Sequence, residues 1–416
     1  MTTTINNEHK KLNAPNLRFP EFQGEWEEST IGEQFDLYSG NTPSRLNKEH
    51  FKGEINWISS GELKEHYIAE TKEKISEEAA KSLKLLPIGT FVIAIYGLEA
   101  DGVRGTGSIT KSESTISQAC MAFTSKGNVQ NEFLYSWYKK HGNVIGIRYA
   151  QGTKQQNLSY DIIEKFHISY PTFQEQEKLN KFIALLDERI VTQSKVIDKL
   201  QSLIKGIGDE LLYNKTWAKV YLKDIFAFYS TNSLSWDKLS DENESGIRNL
   251  HYGMIHNLNS TILDIKTMPF IKTGYIPQKY ELCQYGDIAF ADASEDTDEI
   301  AKAVEFRKIS NEEQAVCGLH TIHGRDIHDM TVVGFKGYAL NANYFHQQIK
   351  RMAQGTKVFS ITASNISNCF VFLPSKDEQK KVVGILDAIS LKIQVETEVL
   401  NSYKIQKQYL LRQMFI

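Results

Sequence analysis

Histidine and aspartate side chains, which are common metal ligands, cluster in one stretch that holds His320, His323, Asp326, His328 and Asp329. Their spacing does not match H-E-x-x-H, the pattern in which two histidines of one helix hold zinc. No pair of closely spaced cysteines completes a ligand set either. We therefore interpret the stretch as a polar surface loop, with a metal site as the alternative.

Other candidate chemistry is similarly incomplete. The acidic run 292–299 resembles a two-metal carboxylate cluster, but it has no lysine at motif spacing, so a solvated loop is expected. Gly102, Gly105 and Gly107 do not have G-x-G-x-x-G spacing, which favours a flexible loop or tight turn over a nucleotide cradle. The chain has no G-x-x-x-x-G-K-[ST] phosphate loop and no Asn/Asp-Pro-Pro-aromatic tetrapeptide of amino-methyltransferases. We expect no catalytic activity in this chain.

The four cysteines are scattered, with no C-x-x-C pair, so we interpret them as buried free thiols: Cys120, Cys283, Cys317 and Cys369. Residues 1–17 are polar, and no apolar run reaches the length needed to cross a bilayer. These features predict a cytoplasmic protein.

Composition narrows the class of protein. The 416 residues include 41% hydrophobic residues, and the mean hydropathy of -0.38 excludes membrane, collagen-like and wholly disordered chains. This length predicts two or more domains. With 48 Lys and Arg against 51 Asp and Glu, the net charge of -3 gives no general attraction to nucleic acid. Any contact with DNA must come from local patches.

The chain contains an internal repeat. The segment 150–154, Ala-Gln-Gly-Thr-Lys, recurs at 353–357. The same separation, without a gap, relates Pro171 to Pro374, Glu175-Gln176 to Glu378-Gln379, and Ile190 to Ile393. Earlier in each half, a second constant separation relates Trp26, Phe35, Tyr38, Ser39, Asn41 and Ser44 to Trp217, Phe226, Tyr229, Ser230, Asn232 and Ser235. The protein is a diverged tandem duplication.

Each half has mixed secondary-structure signals. The apolar runs 89–96 and 286–291 predict strands, and 131–140 predicts a helix. Each half is therefore expected to be α+β.

A different pattern follows the matched prolines. Apolar residues then recur with alternating spacings of four and three, which is typical of a coiled-coil seam. The predicted seam and partner-binding residues are Leu179, Ile183, Leu186, Ile190, Gln193, Ile197, Leu200, Leu386, Ile389, Ile393, Glu396 and Leu400. Gln193 and Glu396 are polar at equivalent positions. Either they face a gap or solvent, or they fix the register of an antiparallel pair.

Each such helix would be about 60 Å long, more than a globular half needs for its own core. We expect two pseudo-symmetric globular domains separated by two long antiparallel coiled-coil helices, as a dumbbell. The predicted organisation is a flexible tail at 1–16, domains at 17–172 and 215–374, and spacer helices at 173–214 and 375–416.

The order of these segments resembles the specificity subunit of type I restriction-modification systems. The resemblance covers nearly the whole chain. It rests on Asn-Leu-Arg-Phe-Pro-Glu-Phe at 16–22 leading to Trp26, Ser-Gly-Asn-Thr-Pro-Ser at 39–44 with Trp57-Ile58 downstream, the Gly-Thr-Lys segments, and Pro followed by Glu-Gln at each helix start. The second half departs from it, with Asn-Ser-Leu-Ser at 232–235 in place of the Thr-Pro-Ser turn. It also has Val-Phe-Ser-Ile at 358–361 where the first half has Gln-Gln-Asn-Leu at 155–158.

The resemblance implies a non-catalytic subunit whose two target-recognition domains each bind one half of a split, asymmetric site in double-stranded DNA. The helices would set the spacing and dock two methyltransferase (modification) subunits, to which restriction/translocase subunits are added. S-adenosylmethionine, ATP and Mg would be used by those partners, with no cofactor in this subunit and no membrane contact. The alternative is a duplicated coiled-coil scaffold or adaptor without DNA specificity.

Base recognition needs polar side chains on exposed loops, with lysine or arginine beside them for phosphate. The acidic loop at 292–299 can accept hydrogen bonds from cytosine amino groups. The DNA-binding candidates are Thr42, Ser44, Arg45, Lys48, Arg104, Thr106, Lys111, Lys154, Gln155, Gln156, Asn157, Asn232, Ser235, Lys238, Arg248, Tyr252, Lys302, Arg307 and Lys357. Because the loops of the two halves differ, we expect the halves to recognise different bases.

Overall fold

The computed structural model describes residues 12–100, 102–152, 154–258, 260–310 and 312–416. It divides into two compact units. The first unit comprises the chain up to Ser194 together with Glu398–Ile416, and the second unit comprises Lys195–Thr397. The predicted tail at 1–16 lies, up to residue 11, outside the described residues. Beyond that point the chain is held, since the Asn13 carbonyl accepts a hydrogen bond from the Trp26 backbone N–H at 2.7 Å.

The first unit is built from short strands and helices and the first part of one long helix, whose residues 195–212 belong to the second unit. In chain order they are β1 (Glu27–Thr30), α1 (Ile31–Gln34), β2 (Phe35–Ser39), β3 (Ile55–Ile58), β4 (Tyr67–Ile68), β5 (Lys74–Ile75), α2 (Glu77–Ala80), β6 (Phe91–Ala94), β7 (Gly107–Thr110), β8 (Ser114–Ile116), β9 (Cys120–Ser125), α3 (Asn131–Tyr149), α4 (Tyr160–Ile163), β10 (His167–Tyr170) and α5 (Phe173–Leu212).

The main sheet of this unit has the strand order β2-β9-β6-β7-β4, and a smaller sheet has the order β5-β3-β8. All four residues of β6, Phe-Val-Ile-Ala, are buried, because this central strand is covered on both faces. Helix α3 contributes Phe133 and Tyr135 to the same core, which also includes Leu411 and Phe415 near the end of the chain.

The second unit repeats this plan, and residues 398–414 of its final helix belong to the first unit. Its elements are β11 (Ala218–Tyr221), β12 (Phe226–Tyr229), β13 (Leu239–Ser240), β14 (Ile247–Leu250), α6 (Tyr252–Asn257), β15 (Ile262–Asp264), β16 (Phe270–Ile271), β17 (Ile288–Ala291), β18 (Ala293–Ser294), β19 (Ala303–Lys308), β20 (Gln314–Cys317), β21 (Thr321–Asp326), α7 (Phe335–Ala339), α8 (Asn343–Met352), β22 (Phe359–Ser360), α9 (Ala363–Ser367), β23 (Phe370–Leu373) and α10 (Lys376–Met414).

The sheet topology confirms the internal repeat and the α+β class. The second main sheet has the order β12-β21-β17-β19-β15, and its edge strand β15 is parallel to β19 just as β4 is parallel to β7. Tyr38 pairs with Ala122, and its repeat partner Tyr229 pairs with His323. The four cysteines are buried and free, as predicted.

The long helices α5 and α10 have 40 and 39 residues, close to the predicted spans. In the first unit the Arg189 guanidinium lies 4.9 Å from the Tyr403 ring centre, and Lys407 pairs with Asp187, so the helices run antiparallel there. All the predicted seam residues are buried or half-buried. Glu396 forms an ion pair with Lys392, one turn earlier on the same helix. In the described part of the chain, no helix is both long and apolar enough to span a bilayer.

The Pro-Glu-Gln segments have a clear structural role at the start of each long helix. The buried Gln176 amide group donates to the carbonyls of Pro171 and Asn128 at 2.9 Å, and its oxygen accepts from the Gln130 backbone N–H at 2.9 Å. Gln379 makes the equivalent three bonds with Pro374, Met330 and Val332 in the second unit. Each glutamine therefore ties the helix start to a distant chain segment.

The N-terminal motif of the first unit docks at the same place. Arg18 forms a two-point ion pair with the buried Glu175 carboxylate, at 2.7 and 2.6 Å, and also donates to the Gly24 carbonyl. Phe19 packs edge-on against Phe182 of α5. The Arg-Phe-Pro segment near residue 19 and the Glu-Gln segment at 175 are therefore direct partners in the folded unit.

Candidate nucleic-acid interface

One edge of the first main sheet collects four loops. The register pairs Ser39 with Met121, Ala94 with Cys120, and Ile93 with Gly107. The loop that follows β2, the loop that joins β6 to β7 and the turn that precedes β9 therefore meet at this edge. The segment that contains Asn157 joins them as the fourth, because Asn157 pairs with Tyr96. We call this edge the first loop edge. Most DNA-binding candidates of this half lie here, on residues 40–45, 95–106 and 151–158.

The loop after β2 is held close to the sheet. The Asn41 backbone N–H donates to the Ile116 carbonyl at 3.1 Å, and its own carbonyl accepts from the Trp57 indole at 3.1 Å. A Cβ on Gly40 would lie 2.2 Å from the Ile116 carbonyl oxygen, so this approach requires glycine. Thr42 and Ser44 project beyond this anchor, with Thr42 half-buried and Ser44 exposed.

Arg45 at the end of this loop is exposed but paired. Both of its terminal nitrogens contact the Glu73 carboxylate at 2.7 Å, which lowers the pKa of Glu73, and the guanidinium lies over the Phe51 ring. An exposed pair of this kind contributes little stability. Arg45 can therefore exchange Glu73 for a phosphate at low cost. Lys48 is exposed in the short 3-10 helix that follows.

The Ala-Gln-Gly-Thr-Lys segment forms a closed loop at the same edge. Gln151 and Asn157 exchange backbone hydrogen bonds at 2.8 and 2.9 Å. Between them Gly152 has φ +113°, and a Cβ there would lie 2.0 Å from the Gln155 carbonyl oxygen. Lys154 and Gln155 are exposed at the tip, whereas Gln156 and Asn157 are half-buried.

Several candidates in this half support the loops. Arg104 donates to the Gln156 side-chain oxygen at 3.1 Å, and the Thr106 hydroxyl donates to the Val103 carbonyl. Gly102 and Gly105 both have positive φ in the turn before β7, which confirms the tight-turn interpretation. Lys111 follows the other end of β7 and lies at the opposite edge, 3.8 Å from the Tyr67 ring centre.

The second main sheet has an equivalent edge, the second loop edge. Tyr229 pairs with His323, Ala291 with Thr321, and Phe290 with Ala303, which gathers the loops at 230–235, 292–302 and 318–320. The repeated segment closes in the same way, because Gln354 and Ser360 exchange backbone bonds at 3.0 and 2.8 Å. Lys357 is exposed at its tip.

Asn232 is the equivalent of Asn41 in the second unit. It makes the matching backbone bond, from its N–H to the Cys317 carbonyl. Its side chain also donates to the buried Asn249 side chain at 2.7 Å. Ser235 bonds to Asp237, and Lys238 contacts Asp237 at 2.6 Å, which lowers the pKa of that carboxyl group. These polar groups form the part of the second loop edge nearest β12 and β20.

Sequence analysis named Tyr252 but missed the aromatic and histidine cluster around it at the second loop edge. Tyr252 lies within ring contact of His251, His256 and His320, and the half-exposed Trp236 packs against His251 at 4.4 Å. Burial, together with nearby His320, lowers the pKa of His251, which favours the neutral ring at neutral pH. The sequence His-Tyr-Gly-Met-Ile-His at 251–256 was the available signal.

Two further basic candidates of the second half, Arg248 and Lys302, are held by intramolecular contacts. Arg248 donates to the carbonyls of Lys266 and Met268 and lies 4.0 Å from the Phe270 ring centre. Lys302 contacts Glu299 at 2.9 Å and the His256 carbonyl at 3.1 Å.

Arg307 lies at the edge opposite the second loop edge. It makes a two-point ion pair with Asp387 of α10, at 2.8 and 2.6 Å, which raises the pKa of the arginine. The structure does not bring Arg307 together with Lys357.

The interpretation of the histidine stretch as a surface loop is wrong for His323. This residue lies within β21, between β12 and β17, and is fully buried, because the first four residues of that strand are covered on both faces of the sheet. His320 does lie in an exposed turn, with φ +54°, and contacts Asp292 at 3.0 Å. The acidic run is partly paired, since Asp298 and Glu299 contact Lys350 and Lys302.

Comparison with known proteins shows what this chain is similar to. Residues 23–202 match the model of the type I restriction modification DNA specificity domain. The chain is 26% identical over 185 residues to the type I restriction enzyme MjaIX specificity subunit of Methanocaldococcus jannaschii, covering 43% of this chain and 42% of that protein. It is 27% identical over 244 residues to the EcoR124I/EcoR124II specificity subunit of Escherichia coli, covering 56% and 57%. The matches thus span about half the length of these two relatives.

Solved structures show the same fold over the whole chain. A crystal structure of the type I restriction-modification S subunit from M. genitalium has a TM-score of 0.56 at 17% identity, covering 97% of this chain and 99% of that one. A second structure, from a study of complex assembly in the type I system, has a TM-score of 0.55 at 16% identity, covering 94% and 97%. Specificity subunits are non-catalytic. Residues 23–202 thus match a type I restriction modification DNA specificity domain, and the chain as a whole is similar in sequence and fold to type I restriction-modification specificity subunits.

Proposed function

We propose that this chain is the DNA sequence-recognition subunit of a type I restriction-modification complex and binds a bipartite, asymmetric site. The observation that carries this proposal is the pair of matched loop edges. The same four loops occur on the same strand order in each unit, but their side chains differ. A common scaffold with different exposed groups suits recognition of two unlike half-sites.

The exposed groups at each loop edge divide into two chemical classes. Lys154 and Lys357, at the tips of closed loops, have the charge and reach for phosphate oxygens. The exposed Gln155 in the first unit and the half-buried Tyr252 in the second carry groups that can contact base edges, whereas the Asn232 side chain is held by Asn249 and Cys317. We assign the lysines to positioning and the polar groups to base recognition.

The long helices offer surfaces for partner subunits. Beside the buried seam, α5 and α10 carry large apolar side chains that are about half or more exposed: Leu185, Leu203, Ile385, Leu391, Val395, Ile405 and Tyr409. Apolar side chains that form a continuous exposed patch are typical of interaction surfaces, and we infer that these groups form such a patch with the partner subunits. We assign them to docking two methyltransferase subunits, to which restriction subunits are added. The S-adenosylmethionine, ATP and Mg of the reactions then belong to those partners.

Duplex-binding measurements on the complex with its methyltransferase subunits test this function. We expect a specific duplex to bind at least about 10³-fold tighter than a scrambled one, with affinity falling steeply as salt rises. An adaptor without DNA specificity would still assemble with partners but would bind both duplexes equally. Equal binding would therefore favour the scaffold alternative and exclude the recognition role.

A further inference from the structure

Two cysteines and a histidine meet inside the second unit. Cys317 ends β20, His323 lies in β21, and Cys283 lies beside β20, with its backbone N–H donating to the Ala315 carbonyl at 2.8 Å. The two sulfur atoms are 3.6 Å apart, and each cysteine sulfur and a ring nitrogen of His323 lie within 4.8 Å of one another. All three side chains are buried, at 5%, 3% and 0% exposure for Cys283, Cys317 and His323.

One ring nitrogen of His323 has a hydrogen-bond partner and the other has none among the described residues. Its Nε2 lies 2.7 Å from the Asp287 carboxylate, which fixes the proton on that nitrogen. Its Nδ1 is buried and has no hydrogen-bond partner among the described residues. A buried polar atom without a partner is costly and calls for an explanation. A carboxylate that binds one ring nitrogen while the other is left free is the arrangement found behind metal-binding histidines.

The Asp287 carboxylate is itself held in place. Arg325 contacts it at 2.9 Å, and the Gln284 backbone N–H donates to it at 2.8 Å. The histidine orientation is therefore determined by a chain of hydrogen bonds, and the Nδ1 lone pair cannot turn toward Asp287.

The duplication supplies an internal comparison. By strand register and matching backbone bonds, Leu86, Ile116 and Ala122 of the first unit correspond to Cys283, Cys317 and His323. Those three residues are apolar and fully buried. The fold therefore needs no polar group at these positions, and three potential metal ligands have replaced an apolar cluster in the second unit alone.

We propose that Cys283, Cys317 and His323 bind one Zn²⁺ ion. Zinc bound to sulfur at about 2.3 Å in a tetrahedron places two thiolates about 3.8 Å apart, close to the separation seen here. On binding, each thiol releases its proton, so two thiolates balance the charge of the cation and the neutral imidazole donates through Nδ1. Such a site is electrically neutral, as burial requires. It leaves one coordination position for a water molecule.

The ion would stabilise the second loop edge from the buried side of the sheet. The Cys317 carbonyl accepts from both the backbone and the side chain of Asn232, and the turn from β20 to β21 carries His320 beside Tyr252. Zinc would join β20, β21 and the segment before β17 at the base of that turn. Its role is structural, and it would fix the groups that we assign to base recognition.

Metal analysis of the full-length protein tests the site. The chain is purified under reducing conditions without chelator, in complex with its partners if required, and zinc is counted by mass spectrometry. We expect about one ion per chain, lost in Cys283→Ser and in His323→Ala. Cys120→Ser and Cys369→Ser alter the other two buried cysteines and serve as matched controls that keep the metal.

A repacked variant separates loss of metal from loss of folding. Cys283→Leu, Cys317→Ile and His323→Ala together install the residues of the first unit, and this variant should fold without zinc. In the wild type, Co²⁺ should give thiolate charge-transfer bands that the repacked variant lacks. A chelator should lower the melting temperature of the wild type alone.

Two results would overturn the proposal. One is a zinc content in the wild type no higher than in the repacked variant. The other is an intact mass that shows a Cys283–Cys317 disulfide in protein kept under reducing conditions, because the sulfur separation also suits oxidation. Neither result depends on DNA binding, so this test and that of the proposed function can fail independently.

Discussion

Lys154 and Lys357 occupy equivalent positions in the two copies of the repeat. Each follows a glycine with positive φ in a loop closed by two backbone hydrogen bonds, and each is exposed. The residues that follow each lysine differ between the two loops, while Ala-Gln-Gly-Thr-Lys and the closed loop are kept. A group that contacts phosphate can be the same in two units that bind different bases.

We expect Lys154→Ala and Lys357→Ala each to weaken DNA binding about uniformly across sequences. The slope of log affinity against log salt should fall by about one for each lysine removed, because one phosphate contact is lost. Lys111→Ala, an exposed lysine at the opposite edge of the first sheet, is the matched control. A change in preferred sequence with an unchanged salt slope would contradict the phosphate assignment.

His66 gives the first unit a pH-dependent contribution to stability. Its ring is stacked between Tyr67 and Tyr135, with Nε2 2.8 Å from Glu132 and Nδ1 3.0 Å from Asp187, which also pairs with Lys407. Burial alone would lower the pKa of His66, but the bonds to Asp187 and Glu132 outweigh it and raise the pKa above 6.5. The charged ring therefore stabilises the folded state below about pH 6.5, and this contribution is lost as pH rises through the folded-state pKa.

His66→Gln should therefore destabilise the protein most at low pH and less as pH rises. Urea denaturation of wild type and variant between about pH 5 and pH 8 measures the difference. His167→Gln, at an exposed position, is the control. A difference in stability that is constant with pH would show that His66 contributes only by packing.

The starts of α5 and α10 are the elements whose sequence and structure agree best. In each, a buried glutamine bonds to the preceding proline carbonyl and to a segment more than 40 residues away. These contacts fix where each long helix leaves its unit.

Removing either glutamine leaves two carbonyls and one N–H unpaired. Gln176→Ala and Gln379→Ala should each lower the free energy of unfolding by about 2–3 kcal/mol. Gln174→Ala, an exposed neighbour on α5, should change it by less than about 0.5 kcal/mol. Denaturant titration measures all three, and equal effects at 174 and 176 would refute the anchoring role.

The long helices are expected to set the spacing between half-sites. Inserting seven residues after Ser194 and seven after Thr397 keeps the seam pattern and lengthens each helix by about 10 Å, or roughly three base pairs. The modified motif should keep both half-sites and gain about three unspecified bases between them. Methylome sequencing of cells that carry the variant gives the answer, and unchanged spacing would exclude the role of these helices as spacers.

At the scale of the whole molecule, the two units share a strand order and differ at their loop edges. The first edge exposes Arg45 and Gln155, and the second exposes Trp236 and His320. Unlike surfaces on like scaffolds predict unlike half-sites rather than a palindrome.

We therefore expect the recognised motif to be split into two different parts, with centres about one DNA turn apart, on the order of 10 bp. Mapping methylated adenines in the source strain shows the motif directly. A short continuous motif, or two identical halves, would contradict the assignment of one half-site to each unit.

The sequence alone determined the duplication, the α+β class and the spans of the long helices. These features depend on local spacing, namely repeated segments and a sustained seam of apolar residues. They can therefore be predicted without knowledge of the tertiary contacts. The N-terminal Arg-Phe-Pro motif was visible as a resemblance, but its partner Glu175 was not, since that pairing crosses more than 150 residues.

Only the tertiary structure decided which polar residues meet. Arg307 and Lys357 both looked like DNA contacts, but strand direction carries Arg307 to the opposite edge, where it pairs with Asp387. Cys283, Cys317 and His323 lie on separate segments, and strand pairing brings their ligand atoms within 4.8 Å. The types of the side chains can be read directly from the sequence. The distances between them depend on sheet register, which no local pattern in this chain specifies.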